Sequence, residues 1–199
     1  MSIKFQYNKT SLQTLDKQLK VRLRALPTLK NKESALRSEV KRAKDQAATL
    51  EEELNRELSR YDDMVRLWGE FDASLLRVED VVLSVKKIAG VQTPLLDEVK
   101  FEIAAYNPFT RPVWFADGID ILRKLAEISI NREVWLRKME LLDNARKKTT
   151  QKVNLYEKVQ IPGFEDAMRK IKRFLEDEEN LSKSAQKIVK TRQQEEVEL

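Results

Sequence analysis

The chain has 199 residues, 36 % of them charged and 7 % aromatic, with four glycines, five prolines and a formal net charge of +5. That profile suits long helices better than a compact α/β core. Cysteine and histidine are both absent, which excludes disulfides, the usual zinc sets and Ser-His or Cys-His catalysis.

The opening "MSIKFQYNKT" has no apolar core of the signal-peptide kind. No run approaches the ~18 apolar residues needed to cross a bilayer, so no direct membrane insertion is expected. From Leu12 to Trp68 a 3-4 spacing holds through Leu12, Leu15, Leu19, Arg22, Leu26, Leu29, Glu33, Leu36, Val40, Ala43, Ala47, Leu50, Leu54, Glu57, Tyr61, Met64 and Trp68, and fourteen of these seventeen are apolar. A seven-residue repeat kept that long predicts a coiled-coil seam, about 85 Å in length as a helix. Pro27 lies inside it without resetting the phase, and is read as a kink. The N-terminal shaft helix is placed at 1–79.

The next stretch, 80–117, has a different texture. "VVLSVKKIAGVQTP" and "VKFEIAA" are β-branched, and Val99, Phe101 and Ile103 alternate with Lys100, Glu102 and Ala104. This period of two, punctuated by Gly90 and Pro94, predicts a β-hairpin followed by the loop "YNPFTRP". Trp114 is read as packing between insert and shaft, with a partner-facing role as the alternative. The "NPF" of Asn107 to Phe109 is too short a motif to carry weight.

A second seam follows Gly118, through Ile121, Leu125, Ile128, Trp135, Met139, Leu142, Thr149, Val153 and Tyr156, with Arg132, Arg146 and Gln160 at the remaining positions. The phase slips at Pro162-Gly163, then resumes as Phe164, Met168, Ile171, Leu175, Leu181, Ala185 and Ile188. Proline and glycine cost ~3 and ~1 kcal/mol in a helix interior. The slip therefore marks either a kinked continuous helix, the reading adopted for 118–192, or two helices joined by a tight turn. Residues 193–199 are assigned to a tail. The expected fold is all-α dominated: a long antiparallel two-helix coiled coil with a small hairpin and loop insert at the turn. The insert should cap one end, with both termini at the other.

Charge is segregated along this expected rod. Met1 to Lys44 holds 12 basic and 3 acidic residues, a net of +9, and Asp45 to Asp80 holds 4 basic and 11 acidic, a net of −7. Such runs are commonly solvated helix surface, but the separation would also suit a shaft whose two ends meet different partners.

"KVNLYEKVQIPGFEDAMRKI", Lys152 to Ile171, resembles the C-terminal signature of the D subunit of the V/A-type rotary ATPases. The matching residues are Val153, Asn154, Glu157, Ile161, Pro162, Glu165 and Ile171, then "LEDEE". "LKVRLRALPTLKNKESAL" is similar to the family's first helix with its Leu-Lys-x-Lys run, here Leu29, Lys30 and Lys32. "KKIAGVQTP" is similar to its hairpin through Gly90, Val91 and Pro94. Ala25-Leu26-Pro27 and Gly163 depart from the family pattern. The resemblance implies a non-catalytic central rotor stalk on the cytoplasmic face of a membrane, coupling ATP hydrolysis or synthesis to ion translocation. It also implies partners: the catalytic A and B subunits around the shaft, the small stalk F subunit on the insert-bearing half, and the C subunit, which links to the membrane rotor, at the foot. Candidate contacts with the catalytic ring are Lys17, Lys20, Arg24, Lys41 and Lys44, with Lys183, Lys187 and Lys190 on the returning helix.

The chain itself has no nucleotide machinery. It lacks G-x-x-x-x-G-K-[ST], and Gly69, Gly90, Gly118 and Gly163 are too scattered to cradle a phosphate. Asp62-Asp63 and Glu51 to Glu53 read as solvated surface. No catalytic, metal or cofactor site is expected. A homo-oligomeric coiled-coil scaffold is the alternative. A nucleic-acid binder lacks the interleaved stacking aromatics. The γ subunit of F-type ATPases is a mechanical analogue whose larger α/β middle domain has no room here.

Overall fold

The computed structural model describes residues 3–107 and 109–197. Pro108 of the Asn-Pro-Phe triplet and the end of the segment assigned to a tail lie outside the described residues. Helix α1 spans Lys9–Ser59. Asn8 caps it, its Oδ1 accepting from the Ser11 N–H at 2.7 Å, which satisfies one of the unpaired donors of the first turn. Pro27 lies within the helix. Its ring is exposed, so the Leu23 carbonyl that loses its partner can turn to water. The helix closes with tightened bonds from Arg60 N to Glu57 O and from Tyr61 N to Leu58 O. It therefore stops at Ser59, well short of the expected boundary at 79. Two single turns (Asp62–Met64 and Ala73–Leu75) and a short helix α2 (Val65–Trp68) follow. Tyr61 and Trp68, read as seam residues of the long helix, stand beyond its end.

Strands β1 (Leu76–Ile88) and β2 (Val91–Ile103) pair antiparallel. The two-residue turn has Ala89 at φ 48 and Gly90 at φ 82, the left-handed pair that a tight hairpin requires. Pro94 does not punctuate the hairpin; it pairs with Val85 inside β2, where a two-stranded ribbon leaves one edge without a ladder.

Helix α3 (Phe115–Asn154) passes through a π-turn (Leu155–Gln160) into α4 (Ile161–Val197). The Ile161 N–H bonds to the Tyr156 carbonyl, five residues back. The wider turn advances the helix by one residue, and this is the phase slip visible in the sequence. Pro162 follows at once, helical on both sides, so no turn separates two helices there. The segment read as a tail is helical to Val197.

The chain forms two compact units, Met1–Asn31 with Thr149–Leu199, and Lys32–Lys148. In the first, Leu15 and Leu19 share a buried cluster with Phe164, Ala167 and Ile171, against which Ile3, Phe5, Leu12 and Ile161 pack. Contacts run in opposite directions along the two helices: Arg22 meets Gln160 and Lys30 meets Glu157, so the pair is antiparallel. Every seam position from Phe164 to Leu175 is covered, but all of residues 176–194 are exposed, with Leu181 at 72 % and Ile188 at 55 %. Ile188 is thus not a buried seam residue. The apolar spacing persists there, but no described segment packs against it.

In the second unit Leu36, Ala43, Ala47, Ile128 and Leu142 are buried. Glu51 pairs with Arg132, and Glu57 with Lys124 at 3.2 Å, again antiparallel. The hairpin does not cap the helix turn but lies back along the pair. Phe101 meets Arg123, and Leu96 to Val99 line a groove with Leu50 and Ile128. At the tip, a β-carbon on Gly90 would stand 3.5 Å from Lys32 Nζ. The helix turn is instead filled by rings: Trp114 lies 5.5 Å from Trp68, 5.7 Å from Phe71 and 5.0 Å from Phe115. Trp114 is a packing residue.

Candidate functional site

The signature residues are positioned by contacts inside each unit. Glu157, on the π-turn, receives the Lys30 ammonium at 2.6 Å, so two segments that stand far apart in the sequence meet. Val153 and Ile161 are half-buried and Asn154 and Pro162 are exposed. Arg22 is the polar residue of the first seam. Its Nε donates to Gln160 Oε1 at 2.6 Å, and its guanidinium lies 4.6 Å from the Phe164 ring centroid and 5.8 Å from that of Tyr156. An arginine in an apolar seam is accounted for by these three partners, which lie on both sides of Pro162. Among the hairpin signature residues, Gly90 is at the tip, Val91 pairs with Ile88, and Pro94 pairs with Val85.

The seam positions between Leu12 and Trp68 are all buried or half-buried, as are those from Ile121 to Gln160. Leu26, Val40, Leu50, Leu54, Leu125, Trp135 and Met139 are half-buried, consistent with a two-helix layer too thin to enclose every residue. Of the proposed ring contacts, all eight side chains are exposed. Lys20 is held by Asp16 and Lys183 by Glu179, each at 2.6 Å. Lys44 lines a groove with Val40, Met139 and Asp143.

Lys138 was not singled out by the pattern. Its side chain is 6 % exposed, with Nζ 4.1 Å from the Trp135 ring centroid. Burial lowers its pKa below 10.5, Glu39 opposes that shift, and Lys86 of the hairpin and Arg42 add to it. Because the folded-state pKa is depressed, the unfolded chain binds more protons in the interval below 10.5, and stability rises with pH there. Lys138→Met is therefore expected to stabilise the fold at neutral pH, with the gain shrinking as pH approaches 10.5. Urea denaturation of both proteins at about pH 7 and about pH 10 measures this; a gain equal at the two values would reject the cause given.

At the helix turn the loop before α3 is built to present two apolar side chains. Asn107 accepts from the Phe109 and Thr110 N–H groups, and Arg111 is tied to Asp72 at 3.0 Å. Asp72 has its pKa held down by Ser74 first and Arg111 second. Phe109 and Val113 are each 94 % exposed. The residue pattern gave no signal for the Asp72–Arg111 tie, which joins positions far apart in sequence. The alternating Ile3, Phe5 and Tyr7 did carry a period-two signal that the helical reading passed over.

Among the described residues no group of three or more His, Cys, Asp or Glu is placed to hold a metal ion, and no helix is long and apolar enough to cross a membrane. The features together define a helix-pair protein with a hairpin insert, whose working parts are seams, charged faces and exposed helix. The chain belongs to the ATP synthase D-subunit family, whose model matches residues 11–191. It is similar to a V-type ATP synthase D subunit of Borreliella burgdorferi, 28 % identical over 191 residues that cover 94 % of each chain. A protein of the same description from Chlamydia pneumoniae is 27 % identical over 183 residues, 89 % of this chain and 87 % of the relative.

Proposed function

We propose that this chain is the non-catalytic central-stalk subunit of a V/A-type ATPase or ATP synthase, the axle whose rotation couples ATP hydrolysis or synthesis to ion translocation. The observation that carries the reading is the nearly full-length match to relatives described as V-type ATP synthase D subunits, on a chain built from paired helices. The scaffold alternative has less support, because the seam positions of each unit up to Leu175 are covered within one chain. In this reading the catalytic A and B subunits surround the end carrying both termini, the F subunit takes the hairpin-bearing half, and the C subunit receives the foot on the cytoplasmic face. The exposed apolar pair Phe109 and Val113 supports a foot contact, since apolar side chains held out by a built turn gain most by burial.

The experiment is affinity purification of a tagged chain from its native source, at moderate salt. The A, B and F subunits are expected to co-purify in fixed ratio with ATPase activity. Recovery of the chain alone, or with nucleic acid, would reject the role. A second expected result concerns the hairpin: replacing 76–103 by a short Gly-Ser linker should abolish capture of the F subunit, with most helical circular dichroism retained. Loop shortening changes closure entropy by only about 1 kcal/mol. Helix melting with that capture retained would mean that the hairpin serves as a structural clamp instead.

A further inference from the structure

We propose that the N-terminal segment Ile3–Tyr7 is a clasp that holds α4 helical across its Pro162–Gly163 interruption. Three features weaken the helix at that place. The π-turn ends at Gln160, Pro162 brings no N–H, and Gly163 gains the most backbone freedom on opening. The segment before α1 lies over the stretch that follows. Ile3 sits against Gly163, where a β-carbon would stand 3.0 Å from Ile3 Cδ1 and 3.7 Å from Cγ1. Phe5 packs onto the buried cluster of Leu15, Leu19, Phe164, Ala167 and Ile171. Phe5 meets Tyr7 edge-on at 5.4 Å, and Tyr7 lies 5.0 Å from the Phe174 ring.

The segment is thus an extended strap running from Gly163 to Phe174, with its odd-numbered side chains turned to the helix. Its exit is fixed as well. Gln6 N–H donates to Ser11 Oγ at 3.3 Å, and Asn8 Nδ2 donates to Gln6 Oε1 at 3.1 Å while Asn8 caps α1. Arg22 spans the interruption, holding Gln160 before it and Phe164 after it. The glycine has a reason in this arrangement: a side chain at 163 would press on the end of Ile3, and a large one would take its place.

The test is hydrogen–deuterium exchange of the full chain and of two variants that attack the clasp from opposite sides. One is Ile3→Ser/Phe5→Ser/Tyr7→Ser, and the other is Gly163→Leu. Both are expected to speed amide exchange in 161–175 by about tenfold or more, with 32–59 and 115–148 unchanged. A third protein carries Ile3→Cys and Gly163→Cys in a chain that has no other cysteine. Oxidation should link the pair and give slow exchange in 161–175, and reduction should speed it about tenfold. Failure of the pair to link, unchanged exchange in 161–175 in the variants, or acceleration spread evenly over both units would overturn the proposal.

Discussion

Replacing Ile171 by alanine is expected to cost about 2–5 kcal/mol of stability, while the same change at Ile188 should stay within about 0.5 kcal/mol. Both residues stand on one apolar spacing of α4. Ile171 is 0 % exposed, in the cluster formed with Leu15, Leu19 and Phe164, and Ile188 is 55 % exposed with no described segment over it. Truncating the first removes buried methylenes and leaves a cavity that α1 and the segment before it cannot easily close. Truncating the second removes surface already wet. Urea denaturation followed by circular dichroism separates the two, and equal losses would mean that the end of α4 is covered in the free chain. Under the proposed rotor role Ile188→Ala acquires a cost only in the assembled complex, where a partner covers that end.

Under the proposed rotor role, neutralising Lys17, Lys20, Arg24, Lys41, Lys44, Lys183, Lys187 and Lys190 together is expected to weaken attachment to the catalytic ring by about 10–100-fold. Any single neutralisation should change it by less than about fivefold. Exposed ion pairs contribute ~0–1 kcal/mol each, so eight supply a few kcal/mol, and about 1.4 kcal/mol is one factor of ten. Lys20 and Lys183 should contribute least, because Asp16 and Glu179 already hold them. An axle that turns inside a ring meets a different surface at each angle, and longer-range charge tolerates this better than close packing does. The effect should fade at high salt, as surface charge is screened. Titration of ring binding in low and high salt, beside ATP-driven ion transport, measures it. Full binding and coupling in the eightfold variant would reject the assignment.

The helical repeat was legible because its cause is local: a 3-4 spacing of apolar residues is one face of one helix, whatever that face meets. It located Leu15, Leu36, Leu142 and Ile171, and it located the slip at Pro162, which the backbone realises as a π-turn. The same spacing could not tell a covered face from a bare one, and so it carried Ile188 into the seam and Trp68 into a helix that ends at Ser59. Pro94 misled for a related reason, since proline breaks an interior strand but is tolerated in a two-stranded ribbon.

By itself the sequence determined the helix pair, the presence of a hairpin between the helices, the charge segregation and the family, all of which are written in neighbouring residues or in their order. Tertiary structure alone decided where the hairpin lies, that Lys138 is buried beside Trp135, that Arg22 bridges Gln160 and Phe164, and that Gly163 is the seat of Ile3. Each of these joins groups that local periodicity cannot place against one another. Their free energy depends on which surfaces water leaves when the chain closes, and periodicity within one segment carries no term for that.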